Sequence, residues 1–300
     1  MRSKAGTVAL VGRANVGKST LLNSILGEKV SITSSVAQTT RLLVRGVLTE
    51  ARGQAVFVDS PGIHKAPSDL GRALNRLARM AMEDVEAVLL VVDGGEPPRD
   101  EDEGWMLKLA RQGAPWLVAV NKSDVEGPRS QAYQELWLRV AATVGESARA
   151  PEGWLDVSGR TGSGCEELVG RVFDLLPEGE PLFPPDVLTD LPRNLAIADI
   201  VREKFYENLT DELPHAMAVQ VDQVTEKEGA WDVDALIYVD KPSQKGIVIG
   251  DKGRLIRRVT RAAEREIGNI YECRVTLRLW VKVERNWAGN IWILKQLGYV

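Results

Sequence analysis

Gly12-Arg13-Ala14-Asn15-Val16-Gly17-Lys18-Ser19 carry the spacing G-x-x-x-x-G-K-S. In such a loop, glycines let backbone N–H groups turn inward around phosphate oxygens. The lysine reaches the β- and γ-phosphates, and the serine hydroxyl takes one position on Mg²⁺. Thr20 opens the helical segment that follows, whose N-terminus adds favourable positive potential. Lys18 and Ser19 are therefore the expected phosphate and metal contacts. This chemistry implies a nucleoside triphosphate and leaves its base open.

The base is read elsewhere. Asn121-Lys122-Ser123-Asp124 fits N-K-x-D. The Asp124 carboxylate only accepts hydrogen bonds, so it matches the N1–H and N2–H₂ donors of guanine, a pair that adenine lacks. A site built on obligatory hydrogen bonds rejects the wrong partner by roughly 10⁴-fold or more. Asn121 and the Lys122 stem would brace this loop and cover the base. Asp59-Ser60-Pro61-Gly62 fits D-x-x-G; Asp59 is expected to hold Mg²⁺ through water, and the Gly62 N–H to sense the γ-phosphate. Thr39 and Thr40 lie in Gln38-Thr39-Thr40-Arg41, a segment able to fold over Mg²⁺, and Thr40 is the preferred ligand. Ser158-Gly159-Arg160 would offer backbone N–H groups to guanine O6. The expected ligands are GTP and GDP, with Mg²⁺.

Strands and helices must bring these loops together. Apolar runs at Val8–Val11, Leu42–Thr49, Ala55–Val58, Ala87–Val92, Trp116–Val120 and Trp154–Val157 alternate with amphipathic segments. Most read as parallel strands covered on both faces, while Leu42–Thr49 and Ala55–Val58, joined through Ala51-Arg52-Gly53, read as an antiparallel edge hairpin. Each motif falls just after a strand, where open α/β sheets collect their chemistry. The expected fold is an α/β P-loop domain over 1–176, with a mostly parallel sheet and helices on both faces. Residues 177–193 hold five prolines and form a fairly stiff join that cannot continue a helix. Residues 194–300 form an α+β domain. Its elements are a helix from about Leu195 to Leu209, strands Ala216–Val224 and Trp231–Val239, two helices, strand Arg274–Val283 and a terminal helix from about Trp287.

The second domain carries a different signature. Gly250-Asp251-Lys252-Gly253, between two apolar helical segments, fits G-x-x-G. Between Lys241 and Arg261 stand seven basic residues and one acidic residue, a surplus that suits a polyanion. Lys245, Gly250, Asp251, Lys252, Gly253, Arg254, Arg257 and Arg258 are the expected RNA contacts. With the order helix–strand–strand–helix–helix–strand, this loop resembles that of a type II KH domain, which clamps the backbone of about four nucleotides. Val275, Leu277, Leu279, Val281 and Val283 form the core face of a strand. Trp280 on its other face either stacks on RNA or packs under the terminal helix. Trp287, Trp292 and Tyr299 read as core.

The Asn15-containing loop, Gln38-Thr39-Thr40-Arg41, the Pro-rich join, Leu279-Trp280-Val281-Lys282-Val283 and the ending Leu297-Gly298-Tyr299-Val300 together resemble the Era branch of the translation-factor-related GTPases. Ala14 departs from that pattern, where proline is usual, and so does Gly159-Arg160. The resemblance implies a slow GTPase that binds the 3′ end of small-subunit ribosomal RNA and the small ribosomal subunit during assembly, with nucleotide state controlling engagement. It implies K⁺ beside the phosphates at Asn15, which makes Lys18, Asn15, Thr40 and Gly62 the residues expected to act in hydrolysis. Ile63 stands where Ras-like enzymes hold a water-positioning glutamine, with His64 as a weak substitute. Peripheral association with the cytoplasmic face of the inner membrane is implied for some members.

Composition narrows the class. No apolar run approaches the roughly 18 residues of a membrane span, and because Met1–Gly6 lead straight into the first expected strand, no signal peptide is expected. Two distant cysteines and two histidines suit a reducing cytoplasm and supply no zinc site. The protein is expected to be a monomer. Two rival functions are a signalling GTPase whose second domain docks protein, and an enzyme that uses GTP to modify RNA. For the second, residues 194–300 offer no nucleophile, metal cluster or cofactor loop.

Overall fold

Continuous runs of valine, leucine and alanine form strands buried on both faces in the first half of the chain. The structure is a computed structural model describing residues 3–34, 39–62, 69–125, 127, 129–210 and 213–299. Its strands there are Lys4–Val11 (β1), Val44–Glu50 (β2), Gly53–Asp59 (β3), Ala87–Asp93 (β4), Trp116–Asn121 (β5) and Trp154–Asp156 (β6). The helices are Lys18–Leu26 (α1), Asp69–Met80 (α2), Asp100–Ala110 (α3), Ser130–Val144 (α4) and Cys165–Leu175 (α5). Among the described residues the sheet order is β2-β3-β1-β4-β5-β6. β1 runs parallel to β3 and β4, β5 parallel to β4 and β6, and β2 antiparallel to β3. The expected edge hairpin is thus β2–β3.

Alternate side chains of one strand enter different cores. Val8 and Leu10 pack with Phe57, Leu21, Leu168 and Phe173, while Ala9 and Val11 pack with Leu90, Met106, Leu109 and Leu136. Leu10 is fully buried, and truncation of such a leucine to alanine typically costs about 2–5 kcal/mol. These two layers fix the carboxyl ends of β1, β3, β5 and β6, from which the motif loops leave.

The chain divides into two units, one comprising 1–33, 40–66 and 74–190, the other 34–39, 67–73 and 191–300. Most of the proline-rich stretch lies along the first unit. The Gln54 amide accepts from the N–H groups of Leu182 and Phe183 and donates to the Phe183 carbonyl, each at 2.8 Å. The Val47 N–H donates to the Leu188 carbonyl at 2.8 Å.

The second unit contains Arg193–Tyr206 (α6), Met217–Lys227 (β7), Ala230–Val239 (β8), Pro242–Ile249 (α7), Arg254–Ile270 (α8), Arg274–Val283 (β9) and Ile291–Gln296 (α9). Among the described residues its sheet order is β7-β8-β9, antiparallel then parallel. Val259, Ala263 and Ile267 recur every fourth residue on α8 and are fully buried, the spacing of one helix face. They meet Val201 and Phe205 of α6 and the inner side chains of the sheet.

The terminal segment corrects an expectation. Trp287–Gly289 form a single 3₁₀ turn, and α9 starts only at Ile291, capped by the Asn290 side chain. Ile293, Leu294 and Leu297 take the inner side of this short helix, so Trp292 is 63% exposed rather than core. Trp287 and Tyr299 are buried, whereas Trp280 is 49% exposed.

Candidate nucleotide site and candidate RNA loop

The phosphate loop leaves the end of β1 and enters α1, with Gly17 in a left-handed conformation at the helix N-cap. One side chain ties it to two other loops. Asn121, the last residue of β5, donates from Nδ2 to the Val16 carbonyl at 2.8 Å, and its Oδ1 accepts the Gly159 N–H at 2.9 Å. Lys122 donates to the Asn15 carbonyl at 3.0 Å and to Asp93 Oδ2 at 2.5 Å. The motifs around 12–19, 121–124 and 158–160 are thereby brought together, although more than 100 residues separate the first from the others.

Asp124 sits above this junction. Its carboxylate accepts from the Ser158 hydroxyl at 2.5 Å and pairs with Arg160. The Ser158 hydrogen bond, with help from Arg160, holds the carboxyl below its ordinary range. A cleft of about 300 Å³ is lined by Gly17, Thr20, Asn121, Lys122, Asp124 and Arg160. It combines an acceptor-only carboxylate with a lysine stem, a combination suited to the donor edge and flat face of guanine.

A second cluster gathers hydroxyls on one carboxylate. Ser19 Oγ lies 2.6 Å from Asp59 Oδ2 and 2.8 Å from Thr40 Oγ1, and the Ser31 hydroxyl donates to Asp59 Oδ2 at 2.9 Å. Asp59 is fully buried, and its Oδ1 has no hydrogen-bond partner. A buried carboxylate with one unbonded oxygen, whose other oxygen gathers the Ser19 and Ser31 hydroxyls, fits a hard cation or its water shell. Burial pushes Asp59 up and pushes Lys18 down to about 8, although the two charges oppose these trends. The Lys18 ammonium donates to the Gly12 and Arg13 carbonyls at 3.2 and 3.1 Å. Among the described residues no group of three or more His, Cys, Asp or Glu side chains could hold a metal.

The remaining motif residues divide by role. A Cβ on Gly62 would lie 2.7 Å from the Ala14 backbone, so only glycine permits this approach to the phosphate loop. Ser60 is turned away, its hydroxyl donating to the Leu10 carbonyl at 2.9 Å. The Arg13 guanidinium also points away, toward Asp102 at 3.2 Å and Glu96 at 3.1 Å. Gln38, Ile63, His64 and Lys65 lie outside the described residues. The motifs did not reveal Ser31, Asp93 or Asp102; the one available sign was an aspartate closing the apolar run Val91-Val92-Asp93.

In the second unit, Gly250–Gly253 joins α7 to α8. Gly250 and Gly253 both have φ of 74°, and Lys252 between them has φ of 48°. Lys245, Lys252, Arg254, Arg257 and Arg258 are all exposed. Arg254 pairs with Asp251, and Arg257 donates to the Lys252 carbonyl at 2.7 Å. The turn therefore presents backbone and cations together to solvent.

Residues 7–122 match the family of 50S ribosome-binding GTPases, and residues 212–288 match the KH domain family. GTPase Era of Geotalea daltonii is 40% identical over 296 residues, covering 98% of this chain and 97% of its own. The chain belongs to the GTPase Era family. Era of Caldanaerobacter subterraneus is 38% identical over 301 residues, covering 100% of this chain and 99% of that one. Two solved Era structures each superpose with a TM-score of 0.91 at 34% identity over 99% of both chains. One is a complex of Era with MgGDPNP and nucleotides 1506–1542 of 16S ribosomal RNA, and the other is an Aquifex aeolicus Era variant bound to GDP·AlF₄⁻. The fold is accordingly a P-loop GTPase domain followed by a KH domain, and the enzyme is a GTPase.

Proposed function

We propose that this Era-family GTPase binds the 3′ end of small-subunit ribosomal RNA through its KH domain during ribosome assembly, and that GTP hydrolysis times its release. The proposed division is 1–176 for nucleotide, 177–193 as a join and 194–300 for RNA. Asp124 selects guanine, Asn121 and Lys122 brace the loop, and backbone groups of 12–20 and 158–160 surround phosphates and base. Lys18 holds the β- and γ-phosphates, and the Gly62 N–H faces the γ-phosphate. Ser19, Thr40 and Asp59 would hold Mg²⁺, which would neutralise charge on the phosphate oxygens. Asn15 is assigned to K⁺, which would stabilise charge in place of an arginine finger; equal hydrolysis in KCl and NaCl at matched ionic strength would remove that assignment.

The RNA reading is carried by the exposed cationic turn at Gly250–Gly253. Glycines allow a phosphate to approach the backbone, and the surrounding lysines and arginines supply the electrostatic attraction. Cytoplasmic residence as a monomer accompanies this reading, with any membrane contact peripheral. Among the described residues, no helix is long and apolar enough to cross a membrane.

The test is fluorescence anisotropy with a labelled RNA of the 16S 3′ end. Gly253→Asp places a charged side chain on the turn and is expected to weaken binding at least about tenfold, or ~1.4 kcal/mol. Unchanged binding would defeat the KH assignment. Control by nucleotide requires reciprocal coupling; equal RNA affinity with GDPNP and GDP would defeat the timer and leave RNA binding standing.

A further inference from the structure

The phosphate loop and the guanine loop converge on a carboxylate outside every motif. Asp93 closes β4 and is 2% exposed. Its Oδ1 accepts the Gly95 N–H at 3.0 Å, and its main-chain carbonyl accepts the Tyr133 hydroxyl at 3.0 Å. Both contacts fix the strand end and the carboxylate's direction. Oδ2 takes the Lys122 ammonium at 2.5 Å and lies 3.7 Å from the Arg13 guanidinium. Lys122 belongs to the guanine loop and also holds the Asn15 carbonyl; Arg13 belongs to the phosphate loop itself.

The far side of Arg13 is equally fixed. Its Nε donates to Asp102 Oδ2, which also accepts the Arg99 N–H at 3.0 Å at the start of α3. Burial opposes the charge on Arg13, but Asp102, Tyr133 and Asp93 together hold the guanidinium protonated. Arg13 Nη2 also donates to Glu96 Oε2 at 3.1 Å, and of the three carboxylates around Arg13 it is Asp93 that also reaches Lys122. Neutralising that anion would set Lys122 against Arg13 and loosen Asn15 and Arg13 together.

We propose that Asp93 is a positioning residue that makes guanine recognition and phosphate-loop geometry interdependent. It touches neither base nor phosphate on this assignment; it acts through Lys122 and Arg13. A purely structural role would lower thermal stability while leaving base and phosphate contributions independent.

The experiment is a double-mutant cycle on GDP affinity in the full chain with Asp93→Asn, Lys122→Met and the double variant. The ³¹P resonance of the bound β-phosphate is recorded alongside. Asp93→Asn is expected to weaken GDP about tenfold, equivalent to ~1.4 kcal/mol, and to move the β-phosphate resonance. The double variant should bind within about twofold of the weaker single variant, because both changes break one linkage. Asp93→Glu should restore affinity and resonance in large part. Penalties that multiply, with an unmoved resonance, would overturn the proposal. If Asp93→Asn does not fold, Arg13→Gln replaces it in the cycle with the same two outcomes, and Arg13→Lys supplies the rescue.

Discussion

Around Asp124 the recognising groups are already bonded to one another, whereas around Gly250–Gly253 they face solvent. Asn121 is buried and spends its amide on the Val16 carbonyl and the Gly159 N–H. Lys252 and Arg257 are exposed, and their turn holds its shape through backbone conformation and the Arg257 bond to the Lys252 carbonyl. The first arrangement suits a ligand whose identity matters at every atom. The second suits a repeating polyanion whose backbone is the same at each step. Discrimination should therefore reside in the nucleotide site, and salt sensitivity in the loop.

The largest expected effect would break the first half of that contrast. Asp124→Asn replaces an acceptor-only group with one that also donates. It should weaken GDP by about 10²- to 10³-fold, through loss of two charge-assisted hydrogen bonds. Xanthine carries a carbonyl where guanine carries its 2-amino group, so xanthosine diphosphate should gain affinity in the variant. Competition titrations with the two nucleotides read this directly. Equal losses for both would mean that the cleft is misplaced, and not merely mismatched.

A smaller effect is expected at the loop. Lys252→Ala should weaken RNA binding only a few-fold at low salt and reduce the slope of log affinity against log salt by about 0.7, the contribution of one phosphate contact on a single strand. GDP affinity should show no comparable salt change on this substitution. A weakened affinity with an unchanged slope would place Lys252 in shape-dependent rather than charge-dependent contact.

The same contrast explains what the sequence made legible. The motifs at 12–19, 59–62, 121–124 and 250–253 are short because each loop must supply particular groups at fixed spacing. The apolar runs between them disclosed the parallel sheet for a similar reason. Partners distant in sequence stayed hidden. Arg13 pairs with Asp102 across 89 residues, and Ser31 reaches Asp59 across 28; no local pattern encodes either approach. Gln54 likewise gives no sign that it holds the chain at Leu182 and Phe183. At the C-terminus, the helix expected from about Trp287 starts only at Ile291, because Asn290 caps it there, and Trp292 is left outside.

The smallest expected effect tests how firmly the guanine acceptor is prepared. Asp124 is held below its ordinary range first by the Ser158 hydroxyl, and then by other groups that include Arg160. For a carboxyl with a depressed value, the favourable contact is complete above the ordinary range and is lost only as pH falls through the folded value. Ser158→Ala removes the leading cause and should raise the Asp124 value toward the ordinary one. Near pH 7 the carboxyl is ionised in both proteins, so GDP affinity should differ by less than about threefold there. As pH falls toward 4, the variant should lose affinity first. The ratio of the two affinities is the useful quantity, because titration of the nucleotide's own phosphates cancels from it. Arg160→Ala should move the limb less, since Arg160 is 75% exposed and its pairing is screened by water and salt. A ratio that stays flat with pH in Ser158→Ala would mean that the carboxylate is not held by this hydroxyl, and the bonded character assigned to the nucleotide site would then rest on Asn121 and Lys122.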